Sequence, residues 1–257
     1  MRYRILQPGT HSSEFSGLCA LTVMAKVPRA GRVKTRLSPS LTPAQAAQLN
    51  IAFLRDTFEC LRQVCLSMPA IPVVSYTPIG EEQGFTGIVP EDVPLILQRG
   101  DSFGERLQFT ASDLLASGFE AVCLIDSDSP TVPMSAYRSA VDCLLSGMDC
   151  GVMGPSDDGG YYLIGVNTSH TRLFEEIHWS TESVADETRE RAAEINLPLH
   201  ELPTWFDIDA PEALNRLQEE ISGPLEQPGY PAPHTRAALI SIFGEGRIST
   251  STETIRS

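Results

Sequence analysis

The sequence has few positive charges and no long apolar run, and both absences exclude classes of protein. Lysine and arginine together number 19 against 33 aspartates and glutamates, which gives a formal net charge of -14. This balance argues against nucleic-acid binding, which needs a basic face. No apolar segment is long enough to span a bilayer, and residues 1–4 lack the apolar core of a signal peptide. We therefore expect a cytoplasmic protein without a membrane span.

Paired cysteine motifs are also lacking. The six cysteines form no Cys-x-x-Cys pair, and several lie inside apolar runs. We therefore expect buried, reduced thiols rather than a disulfide framework or a zinc site. With 257 residues, of which 42% are apolar, the chain can bury a full core as one large domain or two small ones.

Strand-like and helix-like segments alternate between two irregular ends of the chain. The apolar runs typical of strands begin at Leu18, Ile71, Ala121, Cys150 and Tyr161. Strands buried on both faces that alternate with helices predict an α/β fold with a largely parallel sheet between helices. We predict one domain over residues 17–222, an N-terminal tail over 1–16 and a Pro/Ser/Thr-rich C-terminal tail over 223–257. In the latter, Leu239–Phe243 is an apolar exception that can dock as a strand or helix.

A basic loop follows the first apolar run. Between Met24 and Leu37 the chain carries no acid and five cations, Lys26, Arg29, Arg32, Lys34 and Arg36. If the preceding run is a buried strand, the loop leaves the carboxyl end of a sheet, where open α/β folds bind their ligands. Gly31 lets the backbone come close, and the basic side chains can surround phosphate groups. Because its charge opposes that of the whole molecule, we favour phosphate binding over a solvated basic turn.

Two carboxylates come directly after another apolar run. Asp126 and Asp128 follow Leu124-Ile125, and alternate residues of an extended chain point the same way. Two close carboxylates repel each other unless a cation lies between them, and Mg²⁺ or Mn²⁺ suits carboxylate together with phosphate oxygen. The pair therefore indicates a metal site, although each aspartate can instead cap a turn.

A second acidic pair, Asp207 and Asp209, precedes Pro211, which fits the first position of a helix. Acids at a helix start are favoured by the helix dipole whatever the function. Asp209 therefore becomes a metal-ligand candidate only if the fold brings it beside Asp128.

Two turns that contain glycine offer further candidates. The first, Gly100-Asp101-Ser102-Phe103-Gly104, can wrap a base or ribose, or be a tight connection with Ser102 as helix N-cap. The second, Asp157-Asp158-Gly159-Gly160, connects two strands either as an acceptor-binding loop or as a plain hairpin. The residues leave both alternatives open.

Together these segments resemble the DUF2064 family, a branch of the GT-A-like nucleotide-diphospho-sugar transferase superfamily. Its relatives include molybdenum-cofactor and phospholactate nucleotidyltransferases, and the resemblance covers most of residues 18–220. It rests on Lys26 to Leu37, on Asp128-Ser129-Pro130, on Asp157 to Tyr161 and on Asp207 to Glu212. Two positions depart from the pattern. Asp126 lies where the family varies, and Ala210 replaces the usual Thr, which removes a natural helix cap.

The resemblance implies a three-layer α/β/α, GT-A-like (Rossmann-like) fold with a mostly parallel mixed sheet. It implies Asp128 and Asp209 as ligands of Mg²⁺ or Mn²⁺, to which the local spacing adds Asp126. A nucleotide or nucleotide-sugar donor would bind between the basic loop and the Gly100–Gly104 turn. The expected nucleotide contacts are Gly31, Arg32, Thr35, Gly100, Asp101, Gly104, Gly159 and Gly160.

These expectations lead to a hypothesis of metal-assisted transfer from a nucleotide-activated donor to a small-molecule acceptor. Lys26, Lys34 and Arg36 would neutralise the charge that develops on the phosphates. In glycosyl transfer, Asp158 or its neighbour Asp157 would act as base toward an acceptor hydroxyl. Nucleotidyl transfer to an acceptor phosphate needs no base. The sequence chooses neither reaction and leaves the oligomeric state open.

Two other classes stay open. The first is a phosphatase of the haloacid-dehalogenase type with Asp126 as nucleophile and Asp128 as acid, although that motif wants Thr or Val where this chain has Pro130. The second is a catalytically silent nucleotide-binding module.

Overall fold

Eight strands form a single mixed sheet in the computed structural model, which describes residues 3–222 and 229–244. The strands are β1 (Ile5–Leu6), β2 (Cys19–Lys26), β3 (Ala70–Thr77), β4 (Leu95–Leu97), β5 (Ala121–Ile125), β6 (Gly151–Pro155), β7 (Tyr161–Val166) and β8 (Leu199–Glu201). Their order across the sheet is β1-β4-β3-β2-β5-β7-β6-β8. All neighbours are parallel except β7, which runs antiparallel to β5 and β6. The predicted mostly parallel mixed sheet is confirmed.

Six α-helices accompany the sheet in the described ranges. They are α1 (Pro43–Cys65), α2 (Phe103–Ala116), α3 (Met134–Leu144), α4 (Val184–Glu194), α5 (Pro211–Ser222) and α6 (Pro233–Phe243). Helix α1 begins with a capping box, in which the Thr42 hydroxyl accepts from the Gln45 N–H and the Gln45 side chain accepts from the Thr42 N–H. None of the helices in these ranges has the length and apolar character needed to cross a membrane.

Two hydrophobic clusters lie on opposite faces of the sheet. Cys19, Leu21 and Val23 of β2 pack with side chains of α1 and α3, whereas Ala20 packs with side chains of α2 and α4. Because successive side chains of a strand point to opposite faces, β2 is buried on both. This arrangement confirms the three-layer α/β/α architecture. All six cysteines are free thiols.

A third hydrophobic cluster joins the first half of α1 to α5 and α6, with Ile208 and Leu239 fully buried in it. The Ile208 N–H donates to the Asp128 carbonyl at 3.1 Å. The segment that leads into α5 therefore runs past the turn after β5. This path places Asp209 beside that turn.

The N-terminal segment differs from the predicted tail over 1–16. Ile5 and Leu6 pair in parallel with β4 at one edge of the sheet. The Tyr3 hydroxyl lies 2.8 Å from the Phe85 carbonyl oxygen and 2.9 Å from that of Val89. A two-residue strand carries no periodic signal, so pairing with the sheet is what orders this segment.

Part of the predicted C-terminal tail is also folded. Within 223–257, residues 233–243 form α6, so the apolar segment Leu239–Phe243 docks as a helix. The carboxylate of Asp56 in α1 accepts the N–H groups of His234 and Thr235 at 3.0 and 2.6 Å. The predicted tail residues 223–228 and 245–257 lie outside the described residues, and the domain boundaries stay a prediction.

Candidate active site

The basic loop and the acidic turn leave the same edge of the sheet. Strand β2 ends at Lys26 and β5 ends at Ile125, and the two strands are parallel neighbours in which Val23 pairs with Ile125. The carboxyl ends of adjacent parallel strands meet at one edge, which is where open α/β sheets bind ligands.

Lys34 lies where the basic loop meets both acidic segments. Its ammonium nitrogen is 2.7 Å from Asp128 Oδ1 and 2.8 Å from Asp209 Oδ1, and it donates to the Ile208 carbonyl at 2.8 Å. Only 3% of its side chain is exposed, and the Phe53 ring centroid lies 5.6 Å away. Asp209 therefore lies beside Asp128. This proximity is the condition under which Asp209 becomes a candidate metal ligand.

A sharp turn of the backbone brings Lys34 inward. Gly31 has φ +73° and Lys34 itself is left-handed, with φ +49°. For a residue other than glycine this conformation costs roughly 1 kcal/mol, which the hydrogen bonds of the ammonium group offset. The short 3-10 helix that follows, Thr35–Leu37, buries Leu37 completely and so anchors the end of the loop.

The charges around Lys34 fix its protonation and that of its partners. Burial lowers the pKa of Lys34, but the charges of Asp128 and Asp209 outweigh burial and raise it above its ordinary value. Burial also raises the pKa of Asp128 in spite of Lys34. At Asp209 burial acts in the same direction, but the charge of Lys34 and its hydrogen bond, together with the smaller effects of Asp128 and Arg36, lower the pKa below its ordinary value. Lys34 is therefore a cation and Asp209 an anion at neutral pH.

The two carboxylates suit a shared cation, and the cation between them is the Lys34 ammonium. Three oxygens, from Asp128, Asp209 and the Ile208 carbonyl, converge on its nitrogen. A hard divalent ion accepts the same donor set. Asp128 and Asp209 therefore fit the predicted metal role if Lys34 moves away, and that role stays a prediction.

A second possible metal cluster lies between α1 and α6. Among the described residues, it is the one set of at least three His, Cys, Asp or Glu side chains whose ligand atoms lie within 4.8 Å of one another. It consists of Asp56, Glu59 and His234. Because Asp56 already accepts two backbone N–H groups of α6, its contacts describe a structural role.

Asp126 is oriented differently from Asp128. Its Oδ1 accepts from the Asp128 N–H at 3.3 Å, and its Oδ2 accepts from the Ser129 hydroxyl at 2.7 Å. Burial, followed by the charge of Asp128, raises the pKa of Asp126 well above its usual range. These contacts match the turn-capping alternative, and a metal role for Asp126 stays a prediction.

A basic cavity of about 260 Å³ opens beside Lys34. Lys26, Arg32 and Arg36 line it with exposed side chains, and Arg36 Nη1 lies 3.7 Å from Asp209 Oδ2. Asn50 of α1 also lines it, is 4% exposed, and has a buried side-chain oxygen without a hydrogen-bond partner among the described residues. The excess positive charge suits an anionic ligand, whereas the unpaired Asn50 oxygen is an acceptor and suits a donor group such as a hydroxyl. Thr35, Ser127 and Asp128 complete the polar lining.

An aromatic cavity of about 310 Å³ adjoins the basic cavity, with which it shares Arg36 and Asp209. Phe103, Tyr161 and Trp179 form its aromatic wall. The Trp179 ring centroid lies 5.1 Å from that of Phe103 and 6.4 Å from that of Tyr161, both edge to face. Asp126 and Asp158 line the cavity together with the two shared residues.

The predicted glycine contacts have different surroundings. A Cβ on Gly31 would meet nothing within 4 Å, as suits an open loop. On Gly104 it would lie 2.7 Å from the Trp179 indole nitrogen, and on Gly159 it would lie 2.0 Å from the Glu182 carbonyl oxygen. Gly104 and Gly159 therefore let the segment around Trp179 approach closely. That Gly31, Gly104, Gly159 or Gly160 touches a nucleotide stays a prediction.

The Gly100–Gly104 turn is a helix cap. The Ser102 hydroxyl accepts from the Glu105 N–H at 3.1 Å, and Glu105 Oε2 accepts from the N–H groups of Asp101 and Ser102 at 2.7 and 2.9 Å. This capping box confirms the tight-connection alternative. The same turn places Phe103, 48% exposed, at the aromatic cavity.

Asn50, Asp207 and Trp179 are among the residues of this region that were not predicted as site residues. Asn50 has a signal in the sequence, because it interrupts the buried face of α1 beside Leu49 and Phe53. Asp207 belongs to the second acidic pair but was given no role in the site. Burial, followed by the charge of Asp158, raises its pKa to about 7. Trp179 lies in a stretch without periodicity, so no pattern marks it.

Comparison with known proteins decides the family. The model of DUF2064, described as an uncharacterized protein conserved in bacteria, matches residues 48–181. The chain belongs to the DUF2064 family. The resemblance found in the motifs is thereby confirmed. The matched range contains neither the basic loop nor Asp209, so the family match covers only the other parts of the site.

Solved structures share the fold of this DUF2064 protein. One, from Desulfovibrio desulfuricans G20, is provisionally named a nucleotide-diphospho-sugar transferase; it is 27% identical, with 91% of this chain and 97% of that one covered and a TM-score of 0.77. Another, CMP:2-keto-3-deoxy-manno-octonic acid synthetase with CTP, is 10% identical, with 78% and 96% covered and a TM-score of 0.50, and shows the fold alone. No curated protein matches the chain. The expected GT-A-like fold is confirmed.

Proposed function

We propose that this DUF2064 protein is a metal-dependent transferase that uses a nucleotide-activated donor and a small-molecule acceptor. The observation that carries the proposal is the basic cavity at the carboxyl ends of β2 and β5, with Lys34 held between Asp128 and Asp209. The relative from Desulfovibrio desulfuricans, named for nucleotide-diphospho-sugar transfer, supports the same class. Six free thiols suit a reducing compartment, and we place the reaction in the cytoplasm.

The cations of the basic cavity differ in how firmly their side chains are held. Lys26, Arg32 and Arg36 are exposed and can turn toward the phosphates of a donor, whereas Lys34 is held by three oxygen acceptors. Fixed positive groups aimed at phosphates neutralise the charge that develops during transfer. Removal of one such group typically lowers the rate on the order of 10²–10³-fold.

Asp128 and Asp209 would hold Mg²⁺ or Mn²⁺ after Lys34 has moved to a donor phosphate. The bound ion would supply Lewis-acid stabilisation of phosphate oxygens. Lys34 would keep the two carboxylates neutralised until then, which avoids leaving two close negative charges unpaired. Arg36, which lines both cavities, would bind the phosphate that becomes the leaving group.

Asp158 is the base candidate for glycosyl transfer. It lines the aromatic cavity, and its Oδ1 accepts the Gly160 N–H at 2.9 Å, which fixes the orientation of the carboxylate. It would take the proton of an acceptor hydroxyl. Nucleotidyl transfer to an acceptor phosphate remains the second candidate, because the basic cavity suits either type of donor.

The contacts of Asp126 argue against the phosphatase alternative. It needs Asp126 as a nucleophile, but both oxygens of Asp126 are engaged within its own turn. The fold is also that of nucleotide-diphospho-sugar transferases.

Isothermal titration calorimetry with a panel of NTPs and NDP-sugars, each with and without Mn²⁺, tests the proposal. We expect metal-dependent binding of at least one member, weakened about tenfold or more by Arg36→Ala through the loss of a charge-assisted contact. Arg62→Ala serves as control, because Arg62 is an exposed arginine paired with Asp92 on another surface. No metal-dependent binding across the panel would remove the transferase function. Tight metal-independent binding without turnover would indicate a silent module instead.

A further inference from the structure

We infer that the aromatic cavity binds the acceptor, and that this acceptor is an uncharged, ring-bearing alcohol rather than a phosphate ester. The inference rests on the proposed transferase function and adds the substrate class. It favours glycosyl transfer over nucleotidyl transfer to an acceptor phosphate, because an acceptor without a phosphate has no phosphate oxygen that could attack.

The position of the aromatic cavity suits an acceptor. It shares Arg36 and Asp209 with the basic cavity, so a molecule inside it lies next to the proposed donor phosphates. Asp158, the base candidate, lines the aromatic cavity but not the basic one. A hydroxyl group of a bound molecule can therefore lie between the base and the donor.

The wall of the aromatic cavity favours a ring. Phe103, Tyr161 and Trp179 supply aromatic surface, and Phe103 is 48% exposed although it is a large apolar residue. Aromatic side chains stabilise a ligand ring by stacking or by edge-to-face contact. A volume of about 310 Å³ is at the small end of ligand sites, which limits the occupant to one or two rings.

The polar lining excludes an anionic group. Both oxygens of Asp126 are engaged within its own turn, but three other acidic residues, Asp158, Glu182 and Asp209, line the cavity with one cation, Arg36. A phosphate at this end would be repelled, whereas a hydroxyl can donate to any of the carboxylates.

Two glycines build the aromatic cavity. At Gly159 φ is +89°, and the Ala185 N–H donates to its carbonyl at 2.9 Å, so the segment that carries Trp179 is tied to the turn between β6 and β7. Gly104 lets Trp179 lie against the start of α2. A side chain at either position would push this segment away, which indicates that the cavity is a specific feature of the fold.

The transfer step balances for an alcohol. The acceptor hydroxyl oxygen forms a bond to the anomeric carbon of the donor sugar, and the bond from that carbon to the nucleoside diphosphate breaks. The bonding electron pair leaves on the diphosphate oxygen, whose charge Arg36 would neutralise, and the hydroxyl proton passes to Asp158. No oxidant or further reactant is needed.

Fluorine NMR of the full chain labelled with 5-fluorotryptophan tests the inference. The chain has two tryptophans, Trp179 and Trp205, so two resonances are expected and Trp179→Phe assigns them. Phenyl β-D-glucoside is the uncharged probe, and phenyl phosphate is the anionic probe with the same ring. We expect the glucoside to shift the Trp179 resonance with a dissociation constant on the order of 1 mM, as for a small ligand, and phenyl phosphate to shift it at least tenfold less effectively.

Phe103→Ala should weaken glucoside binding about fivefold, because it removes one aromatic contact from an exposed position. Leu66→Ala, on an exposed apolar residue at the end of α1, should leave it unchanged. Equal or tighter binding of phenyl phosphate, no shift with either probe, or displacement of the glucoside by an NTP would overturn the inference.

The nucleotide calorimetry tests the proposed function independently of this titration. Nucleotide binding that survives Phe103→Ala supports the division into two cavities, whereas its absence in the wild type removes the proposed function without changing the preference for uncharged rings.

Discussion

At the scale of single residues, the site is defined by an ammonium group held between two carboxylates. Lys34 is 3% exposed, whereas Asp128 and Asp209 are 27% and 41% exposed. The lysine is thus the buried member, and the carboxylates keep access to solvent and to a ligand. Removing one partner of such a cluster leaves the others uncompensated, which costs more than the cluster itself contributes. Lys34 is therefore a resident cation at the place that the proposed divalent ion would take.

The variant Lys34→Met tests this replacement. It keeps an apolar stem of similar length but leaves Asp128 and Asp209 facing each other. Because both are partly exposed, we expect a loss of about 2–3 kcal/mol in the free energy of unfolding, or roughly 5–10 °C in melting temperature. Mn²⁺ should restore much of that loss by binding the folded state alone.

Two measurements decide the outcome for Lys34→Met. Thermal melting with and without Mn²⁺ should show recovery in this variant and little change in the wild type. Electron paramagnetic resonance of free Mn²⁺ should show binding on the order of tenfold tighter than in the wild type. Lys26→Met, at an exposed lysine of the same cavity, is the control and should do neither. Mn²⁺ binding lost in Lys34→Met would show that the lysine supports the ion instead of occupying its place.

At the scale of elements, two glycines with similar backbone angles permit a matched comparison. Gly159 has φ +89° and Gly147 has φ +85°, but a Cβ would overlap the Glu182 carbonyl only at Gly159. Gly147→Ala should therefore cost about 1 kcal/mol from the left-handed backbone alone. Gly159→Ala should cost about 2 kcal/mol more, because the segment that carries Trp179 must shift. Urea unfolding at a common pH measures the difference between the two variants. Equal losses in the free energy of unfolding would show that the segment around Trp179 can shift without an energetic cost.

Helix α6 depends on a carboxylate from another helix. Asp56 of α1 accepts the N–H groups of His234 and Thr235, which have no partner of their own in the first turn of a helix. Asp56→Ala should cost about 2 kcal/mol and lower the melting temperature by roughly 4–8 °C. Hydrogen exchange should accelerate over residues 233–243. Glu59→Ala, at a half-exposed neighbour that contacts His234, should change stability by less than about 0.5 kcal/mol, and an equal effect of both variants would argue against capping.

Elements with a local signal could be predicted from the sequence, and those ordered by distant partners could not. Strands β5 and β7 coincide with apolar runs, and α1 starts at Thr42-Pro43, residue types that favour a helix start. Strands β1 and β8 have two and three residues, so their order comes from pairing with β4 and β6. The site divides in the same way. The basic loop and Asp128 follow local patterns, whereas the contact of Lys34 with Asp209 depends on the path of the chain past β5.

At the scale of the whole molecule, buried thiol and phenol groups that keep their protons in the folded state make the free energy of unfolding depend on pH in the alkaline range. Burial raises the pKa of the Cys60 thiol to about 12, and that of Cys65 to about 12 as well. The pKa of buried Tyr137 is also raised, by burial first. In the unfolded chain thiols ionise near pH 8.5. These groups therefore keep their protons in the folded state over a pH range where the unfolded state loses them.

The sign of the effect follows from the proton balance. Below about pH 8.5 both states hold the thiol proton, so the contribution of Cys60 to stability is fully present. As the pH rises toward 12, the unfolded state gives up the proton and is favoured, by up to about 1.4 kcal/mol per pH unit for one thiol. The free energy of unfolding should therefore fall steadily above pH 8.5.

Cys60→Ala isolates one thiol from the other alkaline groups. Cys60 is 1% exposed, so the smaller side chain should cost about 1 kcal/mol at pH 7.5 through a small cavity. The variant no longer loses a proton on unfolding, and its stability should fall about 2 kcal/mol less than that of the wild type between pH 8.5 and 10.5. Urea unfolding at pH 7.5, 8.5, 9.5 and 10.5 should show the two stability curves meeting near pH 9.5. Leu66→Ala, which removes no titratable group, should run parallel to the wild type, and a parallel curve for Cys60→Ala would mean that this thiol ionises alike in both states.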